Sequence, residues 1–481
     1  MNAKDTNRVT AKLIRDFTRG HLTRREMLQK AVTAGISAAA VTSLASVSAR
    51  RSYAQDATPA PDPSAGNTIV VPQGLRTDLS GQSIRAVLAD STSADGPFLE
   101  AALAKFGEAT GITVEFIRGE TSATDRLQAY RQEWAAESAD TDVFQIDVIW
   151  PGVVAEHAID LSESLAELAT QQLEALIANN TIDGALVGMP WFTDAGLFYY
   201  RTDLLEKYAL PVPATWAELA TSAQTIQDGE RAASPNFAGF LWQGNVYEGL
   251  TCNGLEWQVS NGGGNIVEPD GTVSVNNEQA IASFDRARTW VNTISPEGVT
   301  TYQEPDCQTI WVAGNAAFCR QWPGMYSASQ DSDAIAGKVA VAPLPMGGGD
   351  GARNAATLGG WQMMVSRYSE KQDAALEFVK YMCSPEVQRS FMLERSHAAT
   401  VPALYEDAEV QEASPFFASL GPVFQGGAVA RPSSVTGDLY PEVSSIYFTE
   451  LNQVLTGSKS GADAAAAMES QITELIEGDD L

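Results

Sequence analysis

Three polar side chains occupy positions where a parallel β-sheet would carry a ligand site. Asp147 lies near the end of a short apolar segment. Thr121 and Arg126 lie at the start of an amphipathic segment, which follows an earlier short apolar segment at residues 113–118. An ionised aspartate accepts two or more hydrogen bonds, and an arginine donates in a fixed fork. Because ligands of open parallel sheets sit beyond the carboxyl ends of the strands, these residues predict a polar cleft at one edge of the first domain.

The elements that would position these residues alternate between short β-rich segments and longer amphipathic ones. The pattern predicts strands over residues 84–89, 113–118 and 143–150, and helices over residues 96–110 and 121–137. Thr121 or Ser122 would cap the second helix. This β-α-β-α-β order favours an α/β fold with a parallel, doubly wound sheet covered by helices.

Beyond residue 195 the pattern becomes mainly helical. A further helix is expected over residues 370–383, after strands over residues 339–343 and 362–366, and the tail after Pro385 is expected to be helical with loops. The helices expected before those strands cover residues 203–208, 216–228, 247–260, 277–293 and 306–321.

Several chemistries are disfavoured by the residues present. The glycine triplets at residues 262–264 and 347–349 lack the Lys-Ser/Thr that a phosphate loop needs. The cysteine spacings match no zinc pattern, and only His157 and His397 follow the predicted leader, so neither a metal nor a cofactor is expected. A Ser/His/Asp hydrolase would lack the Gly-x-Ser-x-Gly motif. A glycoside hydrolase, the main alternative class, needs two carboxylates at a defined separation. Among the 60 acidic residues of the chain, the sequence marks out no such pair. We therefore expect a binding protein rather than an enzyme.

The N-terminal region has the pattern of an export signal. Residues 1–30 are basic and polar, residues 31–47 are uncharged and rich in Ala, Ser and Val, and Arg24 and Arg25 precede that run as in a twin-arginine signal. Cleavage is expected after Ala54, with Ala49 as the alternative, followed by a linker to residue 80. The formal net charge of −29 disfavours nucleic acid as a partner. We expect a soluble monomer in the periplasm.

The four cysteines leave their redox state open. They are Cys252, Cys307, Cys319 and Cys383, and in an exported protein they either pair or stay reduced. Cys307 and Cys319 are the closest in sequence.

Five segments together resemble the extracellular solute-binding family of sugar ABC importers, most closely the trehalose/maltose-binding proteins. They are VFQIDVIWPG (143–152), PWFTDAG (190–196), LTCNGLEW (250–257), RQWP (320–323) and LGGWQ (358–362). The resemblance runs from about residue 82 to the C-terminus. It implies a two-lobed periplasmic-binding-protein fold with hinge strands and a central ligand cleft. The implied lobes are residues 81–193 with 338–384, and residues 194–337 with 385–481.

The resemblance also implies a set of sugar-binding residues and partners. The matching positions are Thr121, Arg126, Asp147, Asp194, Glu256, Trp322, Gly359, Trp361 and Arg431. Their carboxylates and guanidinium groups would bind sugar hydroxyls, and the two tryptophans would stack on the C–H faces of the rings. The implied ligand is a disaccharide-sized α-glucoside resembling trehalose or maltose, delivered to the membrane permease subunits of an importer. Gly324 and Ala94 depart from the family pattern, which counts against copying the ligand of the relatives. Arg126 and Arg431 leave room for an anionic (sulfonated) glycoside, because an arginine fork matches carboxylate and sulfonate oxygens, and a polyol is a further alternative.

Overall fold

The computed structural model describes residues 68–89, 95–423 and 427–479. The predicted signal peptide, the first part of the predicted linker and Ala94 therefore lie outside the described residues. Within the described ranges, no helix combines the length and the apolarity needed to cross a membrane.

Short strands and longer helices alternate along the described chain. The strands are β1 (Ser83–Leu88), β2 (Thr113–Arg118), β3 (Val143–Asp147), β4 (Thr181–Ile182), β5 (Ala185–Leu186), β6 (Met189–Ala195), β7 (Leu197–Arg201), β8 (Ala238–Leu241), β9 (Ala316–Gln321), β10 (Val339–Ala342), β11 (Ala356–Val365), β12 (Ala398–Ala399) and β13 (Ala428–Val429). The helices are α1 (Asp95–Thr110), α2 (Ala123–Ala135), α3 (Pro151–Val154), α4 (Ala166–Ala169), α5 (Glu174–Asn179), α6 (Thr202–Lys207), α7 (Trp216–Glu230), α8 (Glu248–Ser260), α9 (Glu278–Trp290), α10 (Glu304–Val312), α11 (Met325–Gln330), α12 (Gln372–Met382), α13 (Pro385–Arg395), α14 (Ala408–Ala413), α15 (Phe416–Pro422), α16 (Ser433–Thr436), α17 (Tyr440–Thr456) and α18 (Gly461–Asp479).

The larger sheet has the strand order β12-β6-β11-β3-β1-β2, with β13 paired to β11. The predicted parallel arrangement is confirmed for β3, β1 and β2. The rest of the sheet is mixed, because β11 runs antiparallel to both β3 and β6. Ser122 caps α2 by accepting a hydrogen bond from the Asp125 backbone nitrogen. β3 ends at Asp147 rather than at Trp150, because the Trp150 N–H turns back to the Asp147 carbonyl at 2.9 Å.

The smaller sheet has the order β10-β7-β9-β8 and shows where the helix prediction over residues 306–321 was wrong. Only its first half is helical: α10 ends at Val312, and Gly314 then adopts a left-handed φ of 76°. Residues 316–321 form β9 instead, paired with β7 and β8. Because every residue of β9 is buried, its sequence lacks the alternation that identifies a half-exposed strand.

Two separate sets of hydrophobic cores confirm the two-lobed architecture. Side chains of β1 point to both faces of the larger sheet. Ile84 packs in a cluster with residues of α1, and Val87 packs in a second cluster with residues of α2. A third cluster surrounds the smaller sheet and includes residues of α7, α8, α9 and α17. The lobe boundaries stay a prediction. The prediction assigns residues 338–384 to the N-terminal lobe. At the start of that range, β10 pairs with β7 in the smaller sheet.

The chain passes directly from the larger sheet to the smaller one at Gly196, between β6 and β7. A Cβ atom there would lie 2.0 Å from Glu256 Oε1 and 2.7 Å from Arg320 Nη2, so only glycine fits this crossing. The chain returns from the smaller sheet to the larger one between β10 and β11. β11 starts six residues before the predicted position 362. Its early residues include Gly359 and Gly360, and because glycine disfavours strands, the sequence pattern concealed them.

All four cysteines are free and buried in this structure. Cys307 Sγ donates to the Trp242 carbonyl at 3.3 Å, and Cys319 lies on the neighbouring β9. Burial raises the pKa of the Cys383 thiol well above its usual range.

Candidate ligand-binding site

A cavity lies at the carboxyl ends of β1, β2 and β3, between these strands and the N-terminal end of α8. It holds about 730 Å³ of empty space, counting the part open to solvent. Eight of the nine residues predicted from the sequence line it. They are Thr121, Arg126, Asp147, Asp194, Trp322, Gly359, Trp361 and Arg431.

Arg431 and Asp147 form an ion pair at the centre of one wall. Arg431 Nη2 donates to Asp147 Oδ1 at 3.1 Å, and Arg431 Nη1 donates to Glu248 Oε1 at 2.8 Å. Both side chains of the pair are almost fully buried. Burial alone would lower the pKa of Arg431, but the charges of Asp147 and Glu248 outweigh it and raise the pKa well above its ordinary value.

Arg126 and Trp361 form a second polar-aromatic pair. The guanidinium carbon of Arg126 lies 4.4 Å from the centroid of the Trp361 ring, within the range of a cation–π contact. Arg126 Nε donates to the Glu120 carbonyl at 2.9 Å, whereas Nη1 is buried and has no hydrogen-bond partner. Burial lowers the pKa of Arg126, against the opposing charge of Asp147. Thr121 contributes its backbone carbonyl to this guanidinium at 3.4 Å.

Asp194 is a buried carboxyl group whose Oδ1 has no hydrogen-bond partner. It lies on β6 opposite Gly359 of β11, which places it at the crossing between the two sheets. Burial is the main reason that the pKa of Asp194 rises to about 7. His397 and Arg320 oppose this rise, and Asp95 and Asp147 add to it.

Trp322 closes the opposite side of the cavity and is held from three directions. Its Nε1 donates to Glu304 Oε1 at 3.2 Å, and the guanidinium carbon of Arg320 lies 4.0 Å from its ring centroid. Gly359 gives its ring room, since a Cβ there would lie 3.1 Å from Trp322 Cζ3. Tyr247 donates to the other oxygen of Glu304 at 2.7 Å, so this carboxylate is satisfied on both sides.

Glu256 does not line the cavity. Its side chain is fully buried and accepts from Arg320 Nη2 at 2.5 Å and Nε at 2.9 Å. It also accepts from the backbone nitrogen of Thr357, the second residue of β11, at 3.1 Å. The role that the resemblance implied for Glu256 therefore changes: the side chain joins α8, β9 and β11 behind the cavity.

Four lining residues with large polar side chains were missed from the sequence: Gln145, Tyr247, Glu248 and Glu304. One of them carried a signal, because Gln145 is a polar residue inside an almost wholly apolar strand, two residues before Asp147. Its Oε1 accepts from the Ala89 backbone nitrogen at 2.6 Å, and its Nε2 has no partner. Tyr247, Glu248 and Glu304 lie at helix N-termini, where polar residues are common and single out nothing.

The lining combines unpaired hydrogen-bonding atoms with aromatic faces. Buried polar atoms are nearly always paired, so unpaired ones beside a cavity indicate a ligand that would pair with them. The arrangement can donate to and accept from hydroxyl groups and stack on apolar ring faces. The unpaired atoms are Arg126 Nη1, Gln145 Nε2, Asp194 Oδ1 and Arg431 Nε. In the described ranges, no cluster of three or more His, Cys, Asp or Glu side chains is arranged to hold a metal ion.

Comparison with known proteins agrees with this geometry. Residues 89–389 match the family of bacterial extracellular solute-binding proteins. A "Probable ABC transporter-binding protein" of Deinococcus radiodurans is 44% identical over 369 residues, which cover 76% of this chain and 87% of that protein. The maltodextrin-binding protein MdxE of Bacillus subtilis is 22% identical over 69% of this chain and 76% of its own length. The maltose-bound structure of T. maritima MalE3 superposes with a TM-score of 0.77 at 35% identity, covering 82% of this chain and all of that one. The chain belongs to the family of bacterial extracellular solute-binding proteins.

Proposed function

We propose that this protein captures a disaccharide-sized glycoside, with a trehalose- or maltose-like α-glucoside favoured, for an ABC sugar importer. The observation that carries the proposal is the set of unpaired buried donor and acceptor atoms beside the faces of Trp322 and Trp361. A pyranose offers hydroxyl groups for the polar atoms and weakly apolar C–H faces for the rings. The maltose-bound relative and the maltodextrin-binding relative add support for this ligand class.

Capture would proceed by hinge closure. The cavity takes Asp147, Arg126 and Trp361 from elements around the larger sheet, and Tyr247 and Trp322 from elements around the smaller sheet. A ligand that contacts both groups stabilises the closed arrangement over the open one. The crossing at Gly196 and the strand β11 are the segments about which the two parts would turn.

Delivery and location follow from the same proposal. The relative from Deinococcus radiodurans is named as an ABC transporter-binding protein, which supports permease subunits in the membrane as the partner of this chain. We propose export to the periplasm by the twin-arginine route, followed by cleavage after Ala54. The protein binds its ligand without converting it, and no cofactor takes part.

A ligand screen with the mature protein from Gln55 onward tests this function. The panel holds trehalose, maltose, sucrose, other glycosides, polyols and sulfonated glycosides, read by thermal shift and then by calorimetry. A ligand that binds only the folded state raises the melting temperature by mass action. We expect a one-to-one complex with a disaccharide and an unchanged ligand after incubation. Silence across the panel, or hydrolysis with turnover, would refute the proposal.

A further inference from the structure

One cation of the cavity, Arg431, forms ion pairs with two acids. Arg431 donates to Asp147 and to Glu248, and all three side chains are at least nine-tenths buried. Arg431 Nη2 also donates to the Leu358 carbonyl at 3.2 Å, and Arg431 Nε is buried and has no hydrogen-bond partner. An arginine fork that is already occupied by carboxylates has little left for a carboxylate or sulfonate of a ligand.

Glu248 is held rigidly in the position that occupies Arg431. Tyr440 donates to Glu248 Oε1 at 2.5 Å, and Ser444 donates to Oε2 at 2.6 Å, both from α17. The Glu248 backbone nitrogen donates to Thr124 Oγ1 at 3.1 Å, on α2 beside the larger sheet. Burial raises the pKa of Glu248, while Arg431 and the two hydroxyl donors act in the opposite direction. Three donors directed at the two oxygens are the arrangement that an ionised carboxylate requires.

Acidic side chains outnumber cationic side chains around the cavity. Two guanidinium groups face four carboxyl groups, so a ligand with a negative charge enters an acidic environment. The cationic side chains are Arg126 and Arg431, and the acidic ones are Asp147, Asp194, Glu248 and Glu304. Without the charge of Glu248 the excess of acids over cations would be smaller by one, and Arg431 would keep only one carboxylate partner, Asp147.

We propose that Glu248 determines the charge selectivity of this site: by occupying Arg431, it makes the cavity select an uncharged glycoside and reject an anionic one of the same shape. The inference rests on the proposed function. The sequence left an anionic glycoside open as an alternative ligand. Glu248, which was not among the residues predicted from the sequence, makes that ligand the less favoured one.

The test compares two matched ligands on the mature protein by calorimetry. The ligands are maltose and the maltose analogue in which one C6 hydroxymethyl group is a carboxylate. The wild type should bind maltose more tightly by at least about tenfold, and Glu248→Gln, which keeps the shape of the side chain but removes its charge, should reduce that preference by roughly tenfold. Arg431→Gln should shift the preference in the opposite direction, because it leaves the acids without their cation. It also carries the test if Glu248→Gln does not fold.

The matched control is Glu442→Gln. This acid lies on the same helix as Tyr440 and pairs with Arg131 at 3.3 Å, but it is half exposed and does not line the cavity. Its ligand preference should equal that of the wild type. A wild type that binds both ligands equally, or a Glu248→Gln variant with an unchanged ratio, overturns the inference while leaving the proposed function intact. A wild type that binds no sugar in the panel refutes the proposed function itself.

Discussion

The side chains around the cavity differ in how far the protein itself satisfies them. Glu304 accepts from Tyr247 and Trp322, and Asp147 is paired with Arg431, so these acids are held in place before a ligand arrives. Asp194 differs, because its Oδ1 has no partner and its burial is nearly complete. An unsatisfied buried carboxyl group costs stability in the free protein, and that cost is recovered when a hydroxyl group donates to it.

The raised pKa of Asp194 predicts a pH-dependent loss of stability that Asp194→Asn removes. With a folded-state pKa of about 7 against 3.8, the folded protein binds this proton more tightly than the unfolded chain. The contribution of Asp194 is therefore full below about pH 3.8 and is lost as the pH rises to about 7, a change of about 4 kcal/mol. Urea unfolding at pH 5 and pH 8 measures the larger part of this change, about 3 kcal/mol: the stability of Asp194→Asn relative to the wild type should increase as the pH rises. A constant difference between the two proteins would contradict the prediction. The groups that act on Asp194 are His397, Asp95, Asp147 and Arg320.

Binding should depend strongly on Trp361 and Asp194. We expect Trp361→Ala and Asp194→Ala each to weaken sugar affinity by at least about tenfold, since one removes a stacking face and the other an acceptor. Calorimetry with the best ligand of the panel measures this. Trp361→Phe, which keeps an aromatic face beside Arg126, should lose much less. Unchanged affinity in both alanine variants would show that the site lies elsewhere.

At the scale of elements, β11 of the larger sheet supplies Gly359, Gly360 and Trp361 to the cavity wall. It pairs with β3 and β6, and its glycines admit groups from both sides of the strand. A Cβ on Gly360, whose φ is 133°, would lie 2.7 Å from the Phe192 carbonyl oxygen. A Cβ on Gly359 would meet side chains instead, namely those of Trp322 and Asp194. Two adjacent glycines therefore have different reasons to be glycine.

Alanine substitutions should separate these two reasons. Gly360→Ala clashes with backbone in a conformation that alanine rarely adopts, so we expect a loss of more than about 2 kcal/mol in unfolding free energy. Gly359→Ala should change stability by less than about 1 kcal/mol but weaken sugar affinity about fivefold, because Trp322 and Asp194 must move. Chemical denaturation and calorimetry on both variants give the comparison. The reverse pattern would contradict the assignment of Gly359 to the site.

At the scale of the whole molecule, several contacts between the elements around the larger sheet and those around the smaller sheet are polar. Thr124 contacts Glu248, Arg131 pairs with Glu442, and Arg431 joins Asp147 to Glu248. Such contacts are screened by water when the parts separate, so they are compatible with a two-state equilibrium between open and closed arrangements.

Ligand binding should therefore compact the molecule. For about 400 folded residues the radius of gyration is roughly 21 Å, and hinge closure should reduce it by an amount on the order of 1 Å. Small-angle X-ray scattering with and without the best sugar measures this difference. The Trp361→Ala variant, at a sugar concentration that leaves it unbound, should show no change. A wild type with the same radius in both conditions would exclude closure as the capture step.

Most errors of prediction from the sequence occur where tertiary contacts overrule local patterns. The strands and helices from β1 to β3 were located to within a few residues, because alternation and helical periodicity are strong there. Residues 316–321 were misassigned because full burial on both faces removes alternation. The start of β11 was missed because Gly359 and Gly360 are chosen for space rather than for strand propensity.

The sequence by itself determined the order of the first elements, the absence of common catalytic and zinc motifs, and a resemblance to a known family that names eight of the residues lining the cavity. These are local properties: periodicity, residue chemistry and short motifs depend on neighbours along the chain. Only the tertiary structure decided that Glu256 pairs with Arg320, that Arg431 pairs with Asp147 and Glu248, and that Asp194 Oδ1 has no partner. The physical reason is that pairing depends on which distant segments meet. Glu248 and Arg431 are 183 residues apart, and no local pattern encodes their 2.8 Å contact.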